Sequence, residues 1–557
     1  MKLTLTEAMA APKCVAIDLE TTGLDKIKDT PLLMGIYGED FSGYFNFFEY
    51  SKEQLSSFFK DFFSSRSVIL HNAKFDFHFI NRYFNVKDVS FSDTMLMSQI
   101  VDERDRSHGL EYLAKKNFGD VACVYKDRVS DIWKEVKSRK KIKAYTEVPN
   151  DLLGARGVED CENTYKLYHL LRPQIYNTDV YTAEKKLLKK LLIVEQNGVL
   201  IDKEYLFKLR EFLQNKMLEY ENKYPDINLN STKQVSEQLF EKMGLKPTVY
   251  TTGGIPSVSE SVLKTIDHPF AKDVVNYKVQ AHMMSTYVEA FLERMDNSNR
   301  LHCDFKQLGA RTSRLSCVEP NLQQVPKGEM IRRAFTGNIT TFDYSQMEAV
   351  LYVIYRKETR LLRALENGQD LYKTMACQIY QKKIEDISKE ERDSAKDIFL
   401  GTIYGMGQKK LDSKAQGASI QNIRRTFNSL RSWNKEVEKQ VEDLGYVETF
   451  FGYRRHLYKD EAYKGTNAII QGSAAGVLKK SIVDMPDHLL SKFRITVHDE
   501  NIFEDLTKDE IQEVEEIMTR YNPLLKVKIN SGKTWWDCCK DKEDSYSEMS
   551  EYIKASH

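Results

Sequence analysis

The sequence predicts a multidomain α/β chain, and three observations carry that prediction. Its 557 residues are several times the length of a single domain, which runs to roughly 100–200 residues. Short apolar runs rich in β-formers, KCVAIDL at 13–19 and RSVILH at 66–71, stand beside a helical pattern at 52–62. From about 176 to 300 the texture changes to long charged helices, such as YTAEKKLLKKLLIVEQ at 181–196, with leucines at helical spacing and few Gly or Pro residues.

Taken in order, the change of texture sets a boundary near residue 175. Residues 301–345 return to strands and turns, and 346–440 are helical again. FRITVHDENIFED at 493–505 reads as a hairpin with a polar tip at His498-Asp499-Glu500. Strand texture therefore brackets a helical insertion. No repeat or low-complexity tract interrupts this order, and the acidic, Ser-rich stretch 541–557 reads as a surface end.

Composition narrows the classes without choosing among them. Lys+Arg and Asp+Glu both count 82, so any basic surface for a polyanion must come from uneven distribution. The eight cysteines contain no C-x-x-C pair, which predicts reduced thiols in a cytoplasmic protein and suggests no zinc site. The opening residues read as mature sequence, because Glu7 interrupts an apolar stretch already too short for secretion. No apolar run reaches the ~20 residues of a membrane span.

The first constellation of chemical interest is VAIDLETTGLD at 15–25. Asp18 and Glu20 lie two apart on a strand, so both carboxylates project to one face. Such a pair can hold a hard divalent cation, and two ions ~3.5–4 Å apart need further carboxylates. Asp76, in HNAKFDFHF just after a strand, and Asp160, in RGVEDCENTYKLY on a helix, are the candidates. A D-x-E alone is better read as a solvated edge. Three ordered elements outweigh that reading, and here the chain resembles the DEDD exonucleases of the proofreading branch, with Asn72 near the metal site or strand end. The resemblance implies a ribonuclease H-like 3′–5′ exonuclease domain over 1–175 with two Mg²⁺ ions, Mn²⁺ serving as a substitute. One departure stands out. Where that branch carries a water-orienting tyrosine, four residues before the last aspartate, this sequence has Arg156. An arginine stays protonated and cannot accept a proton.

From 195 onward a second resemblance, to the family A DNA polymerases of the bacterial DNA polymerase I type, becomes nearly continuous. It runs through EQNGVLID at 195–202, NLNSTKQ at 228–234, STYV at 285–288 and QLGARTSRLSCVEPNLQQVP at 307–326. It implies a right hand over 176–557, with thumb at 205–300, fingers at 346–470 and palm at 301–345 and 471–557. It further implies a two-Mg²⁺ centre on Asp343, in TFDYSQME, and Asp499, in VHDE, with the carbonyl of Tyr344 as a further ligand. Glu500 would support the centre and His498 would steady the primer end. The resemblance also implies that Gln346 lines the nucleotide pocket.

Between these segments lies ERDSAKDIFLGTIYG at 391–405. Arg392, Lys396, Leu400 and Tyr404 recur every four residues, so they share one helix face over ~18 Å. The cations lie toward the helix N-terminus, where the macrodipole also favours anions, so a triphosphate belongs there and the base near Tyr404. A solvated cationic face would account for Arg392 alone and leave the apolar-aromatic half unexplained. Leu400 stands where the family has Phe or Tyr, which predicts poor use of dideoxynucleotides. Glu348 is, by the resemblance, the steric gate against a ribose 2′-hydroxyl.

Arg314 and Gln471 match family residues that probe the minor groove, where correct pairs offer acceptors in similar places. Asn467, Asn321 and Lys233 join them as expected DNA contacts, and Ser313 and Tyr463 depart from the usual glycine and arginine. Basic residues at 139–141, 424–425 and 454–455 are weaker candidates for phosphate contacts.

The expected reading is a monomeric enzyme on primer-template DNA and dNTPs, working beside a helicase, primase or single-strand-binding protein in a phage-like layout. No 5′-nuclease segment and no processivity insertion in the thumb are expected. A stand-alone 3′–5′ exonuclease, a non-catalytic scaffold and a single-subunit RNA polymerase are the rivals. The pairing of Asp343 and Asp499 with Lys396 and Tyr404, and Glu348 with the exonuclease motifs, weigh against them.

Overall fold

A computed structural model describes residues 1–140, 148–413 and 417–539. The stretches at 139–141 and 541–557 singled out above fall outside the described side chains or residues.

The amino-terminal part is built on a five-stranded sheet of β1 (Cys14–Thr21), β2 (Pro31–Gly38), β3 (Phe41–Asn46), β4 (Ser67–Leu70) and β5 (Phe91–Asp93), in the order β3-β2-β1-β4-β5. The first three strands are antiparallel, and β4 and β5 run parallel to β1. The central strands are buried on both faces, which is why their sequences read as nearly continuous apolar runs. A phenylalanine cluster, Phe45, Phe58, Phe59, Phe62 and Phe63, seals one layer. On the other side the helix Asn150–Leu171 crosses β2 at Gly35 and Gly157. A Cβ at Gly35 would lie 2.6 Å from the carbonyl oxygen of Gly157, so only glycine allows this approach.

The helix Thr178–Asn197 leaves this body and packs on both parts of the chain. Its Leu188 and Leu192 join the amino-terminal core, and its Leu187 and Leu191 the larger carboxy-terminal one. Two antiparallel helices, Lys203–Lys223 and Pro269–Met283, then carry a small separate core around Leu229, Leu239, Leu263 and Phe270. At their base the hydroxyl of Tyr287 donates to the carbonyl of Gln324 at 2.8 Å, tying this arm to the 321–324 turn.

A four-stranded antiparallel sheet forms the floor of the carboxy-terminal part. Its order is Phe493–Val497, Glu500–Glu504, Thr336–Tyr344, Val527–Thr534. The helices from Met347 to Leu444 follow the strand Thr336–Tyr344 in the chain, and the buried helix Gly465–Asp484 packs against the helices Thr178–Asn197, Met347–Arg356 and Asn428–Leu444.

The two parts are joined by buried polar contacts, not apolar surface alone. Glu195 accepts from Lys74 and contacts His78 at 2.6 Å, while Lys74 also reaches Asp304 at 2.9 Å. Glu184 accepts from the Tyr453 hydroxyl at 2.6 Å and from Lys479. Arg455 is buried and pairs with Glu103 at 2.6 Å, and Arg454 pairs with Glu448 beneath two tyrosine rings. The expectation of phosphate contacts at 454–455 is therefore corrected. Charge that looks solvated in sequence is here spent on contacts within the fold. Arg424 and Arg425 remain exposed.

Candidate functional sites

At the first site the β1 pleat turns Asp18 and Glu20 to the same face, and the glycine crossing lowers the helix Asn150–Leu171 until Asp160 meets them. Ligand oxygens of Asp18, Glu20 and Asp160 lie within 4.8 Å of one another. Asp76, in the first turn of the helix Ala73–Ile80, is buried beside them and accepts from the Leu19 backbone N–H at 3.1 Å. Asn72 holds a left-handed backbone (φ +64°) and presents its N–H, not its side chain, to Asp93. Burial drives the carboxyls of Asp18 and Asp76 well above the usual range, raises Asp160, and pushes Glu20 up to about 7. Three buried acids and the half-buried Asp18, offering oxygen only, suit a hard divalent cation. Glu20 Oε1 is buried and accepts no aligned hydrogen bond. Arg156, one helical turn before Asp160, sets its Nε 3.2 Å from that oxygen and 3.6 Å from Asp160 Oδ2.

At the second site Asp343, near the end of its strand, pairs in register with Glu500, and the Tyr344 N–H donates to the Asp499 carbonyl at 3.3 Å. The two aspartates thus face one cavity of about 310 Å³, lined also by Arg332, His498, Glu500 and Asn530. His498 adopts a left-handed turn (φ +56°) and is exposed. Burial raises the Glu500 carboxyl. The Tyr344 hydroxyl donates to the carbonyl of Met518 at 2.8 Å, which anchors the strand end.

The helix Lys389–Ile403 begins with a capping box from Ser388 and Glu391. Lys396 is exposed, Arg392 and Leu400 are half-buried, and Tyr404 caps the C-terminus in the open. The expected stripe is therefore present and accessible. Its inner end joins a polar chain. Glu348 accepts from Arg314 Nη2 at 2.9 Å and from the Tyr404 hydroxyl at 3.1 Å, and Gln471 bonds Tyr404 from the buried helix. Burial raises Glu348 as well. One turn before Gln471, Asn467 leaves a buried Oδ1 with no partner among the described residues.

The outer end contains a residue that sequence reasoning missed. Asp370 caps the helix Leu371–Tyr380 through Lys373 N–H and simultaneously holds the Arg392 guanidinium. Gln346, itself left-handed (φ +52°), donates to Asp370 at 3.3 Å and accepts from Leu371 N–H at 3.1 Å. The only signal was an N-cap aspartate after Gly368-Gln369, which is commonplace. Asn321 caps its own turn at Gln323, whose side chain reaches the Thr496 carbonyl next to the hairpin. Ser313 takes φ +60°, a conformation natural for the glycine it replaces. Tyr463 packs its ring against Gly405. Lys233 is not brought to either site. It is exposed on the arm, 3.8 Å from Glu237.

A mixed α/β body with an acidic cluster, followed by a second body with its own paired aspartates, defines a fold with two acidic centres. The family comparison makes this specific: residues 203–537 match the model for DNA polymerase family A and residues 3–176 that for the 3′-5′ exonuclease domain, so the chain belongs to DNA polymerase family A. It is 27% identical to DNA polymerase I of Borreliella burgdorferi over 95% of this chain and 63% of that protein. It is 26% identical to DNA polymerase I of Treponema pallidum over 85% of this chain and 51% of that one. The chain thus spans about half to five-eighths of the length of these curated relatives. The fold is similar to the POL domain of Pol1 from M. smegmatis, solved in complex with DNA primer-template and dNTP. The TM-score is 0.74 at 23% identity, covering 94% of this chain and 95% of that one.

Proposed function

We propose that this chain synthesises DNA on a template by 5′–3′ nucleotidyl transfer from dNTPs and trims mismatched 3′ ends at its amino-terminal site, in DNA replication. The observation that carries the reading is the convergence of Asp343 and Asp499 on one cavity, with the Arg392–Tyr404 stripe accessible nearby. Mg²⁺ ions, two held by Asp343, Asp499 and the Tyr344 carbonyl at the carboxy-terminal site, and divalent metal at the Asp18, Glu20, Asp76 and Asp160 cluster, would lower the pKa of the attacking oxygen and offset charge on the leaving one. Arg392 and Lys396 bind the triphosphate, and Leu400 and Tyr404 bound the sugar and base. Glu348, fixed between Arg314 and Tyr404, fills the space of a 2′-hydroxyl. Arg314, Gln471, Asn467, Asn321 and Lys233 contact the primer-template. The chain acts as a monomer in the cytoplasm, where its eight cysteines, none in a disulfide, stay reduced, beside a helicase, primase or single-strand-binding protein. Among the described residues no helix is long and apolar enough to cross a membrane.

Primer extension on a DNA template with deoxy- or ribonucleotides, from matched and mismatched ends, tests this reading. Extension with dNTPs and removal of a mismatched end are expected; failure to extend in Mg²⁺ and Mn²⁺ overturns it. A second reading, a polymerase whose exonuclease is weakened, is favoured specifically by Arg156 lying against Glu20. Extension without trimming distinguishes it.

A further inference from the structure

We propose that Arg156 takes the place of one of the two divalent ions at the amino-terminal centre, so that this chain binds a single ion there. The inference rests on the exonuclease reading above and concerns the charge inventory of that site.

Ligand oxygens of Asp18, Glu20 and Asp160 lie within 4.8 Å of one another with Asp76 buried beside them, and Glu20, Asp76 and Asp160 are at most 6% exposed. Buried charges of one sign require compensation from cations close by. Arg156 supplies one permanently, since a guanidinium does not give up its proton in a protein. Its Nε stands 3.2 Å from Glu20 Oε1 and 3.6 Å from Asp160 Oδ2. A divalent ion shared by these two carboxylates would sit ~2.0–2.1 Å from its oxygens, against the same two oxygens that the Arg156 Nε faces. The two cations would also repel at contact distance in a water-poor pocket.

The arginine is held in this position by the backbone. Residues 156 and 160 are one turn apart and share a helix face, and that face is set by the glycine crossing at Gly35 and Gly157. With only 16% of its side chain exposed, Arg156 reaches the carboxylates from within the packed layer. Asp18, whose oxygen lies within 4.8 Å of those of Glu20 and Asp160, is the ligand left to the single ion, with Asp76 buried beside the cluster. Glu20 Oε1, buried and without an aligned hydrogen bond, is the oxygen that exchanges a metal for a guanidinium.

The experiment counts ions. The full chain carrying Asp343→Asn and Asp499→Asn, which empties the polymerase centre, is dialysed to equilibrium against Mn²⁺ with saturating thymidine 5′-monophosphate. The same protein with Asp18→Asn gives the background to subtract. One Mn²⁺ per chain is expected with Arg156, and two with Arg156→Ala or with Arg156→Gln, which keeps volume should the alanine form fail to fold. Thermal melts in EDTA verify folding of each form. Two ions in the Arg156 chain, or the same number in all forms, overturns the inference. The outcomes separate it from the exonuclease reading: trimming with two ions bound removes only the inference, and one ion bound without trimming removes only the activity.

Discussion

Asp370 Oδ2 accepts from both Nε and Nη2 of Arg392, at 3.0 and 2.9 Å. The cation proposed to meet the triphosphate is thus aimed by a neighbouring helix cap, with Tyr372 beneath its plane at 5.4 Å. Asp370→Ala should raise the KM for dNTPs by about tenfold, roughly the 1.4 kcal/mol of a charge-assisted hydrogen bond, and leave 3′ trimming unchanged. Loss of the helix cap should cost about 1 kcal/mol of stability. Steady-state extension kinetics and a thermal melt read the two effects separately. An unchanged KM would show that Arg392 needs no such guide.

The two acidic constellations proposed to hold metal lie in different parts of the fold, so they should fail independently. Asp343→Asn or Asp499→Asn should lower extension by about three orders of magnitude, since a divalent ion contributes several kcal/mol to the transition state. Trimming of single-stranded DNA should persist. Asp18→Ala should give the reverse pattern. Gel assays of both activities on each variant check this, and joint loss in a folded variant would contradict it.

Leu400 is a half-buried aliphatic group on the stripe proposed to bind the nucleotide, and it has no hydroxyl to replace a missing 3′-OH. Dideoxynucleotides should therefore terminate chains poorly at equal concentration with dNTPs. Leu400→Tyr should improve their relative incorporation more than tenfold, about one hydrogen bond to a charged or strongly polar group. Termination ladders measure the ratio directly.

Glu195 carries the contact between the two bodies. Burial would raise its carboxyl, but Lys74 and Lys26 overcome that and hold it down to about 2. Because the folded value lies below the ordinary 4.5, the interaction stabilises fully above pH 4.5 and is lost as pH falls toward 2. From that shift it is worth roughly 3 kcal/mol. Glu195→Gln, which leaves Lys74 buried with Asp304 as its remaining anion, should cost about 3 kcal/mol at pH 7 and flatten the acid limb of the stability profile. Denaturant titrations from pH 3 to 7 test both. A variant as stable as the wild type would show that the apolar contacts alone hold the bodies together.

Much of the site was legible because its motifs are local. Asp18 and Glu20 at strand spacing, and Arg392 to Tyr404 at helical spacing, define shared faces before any fold is known. The partition of charge was less legible. Arg454 and Arg455 look like Arg424 and Arg425 in sequence, yet the first pair is committed to Glu448 and Glu103 and the second is exposed. Asp370 resembles any N-cap until its second oxygen is seen on Arg392.

The sequence by itself determined the fold class, the residue types of both acidic constellations, and the stripe that suits one nucleotide. Periodicity is enough for the Asp18–Glu20 pair and for the stripe, since neighbours within a turn or a pleat share a face whatever surrounds them. Asp76, Asp160, Asp343 and Asp499 are named by resemblance to family motifs. Tertiary structure alone decided that Asp343 meets Asp499 through strand register, that Asp370 aims Arg392, and that Arg156 lies against Glu20. Each of those contacts joins segments whose separation along the chain carries no information about their distance in space, and burial then converts the contact into a shifted charge.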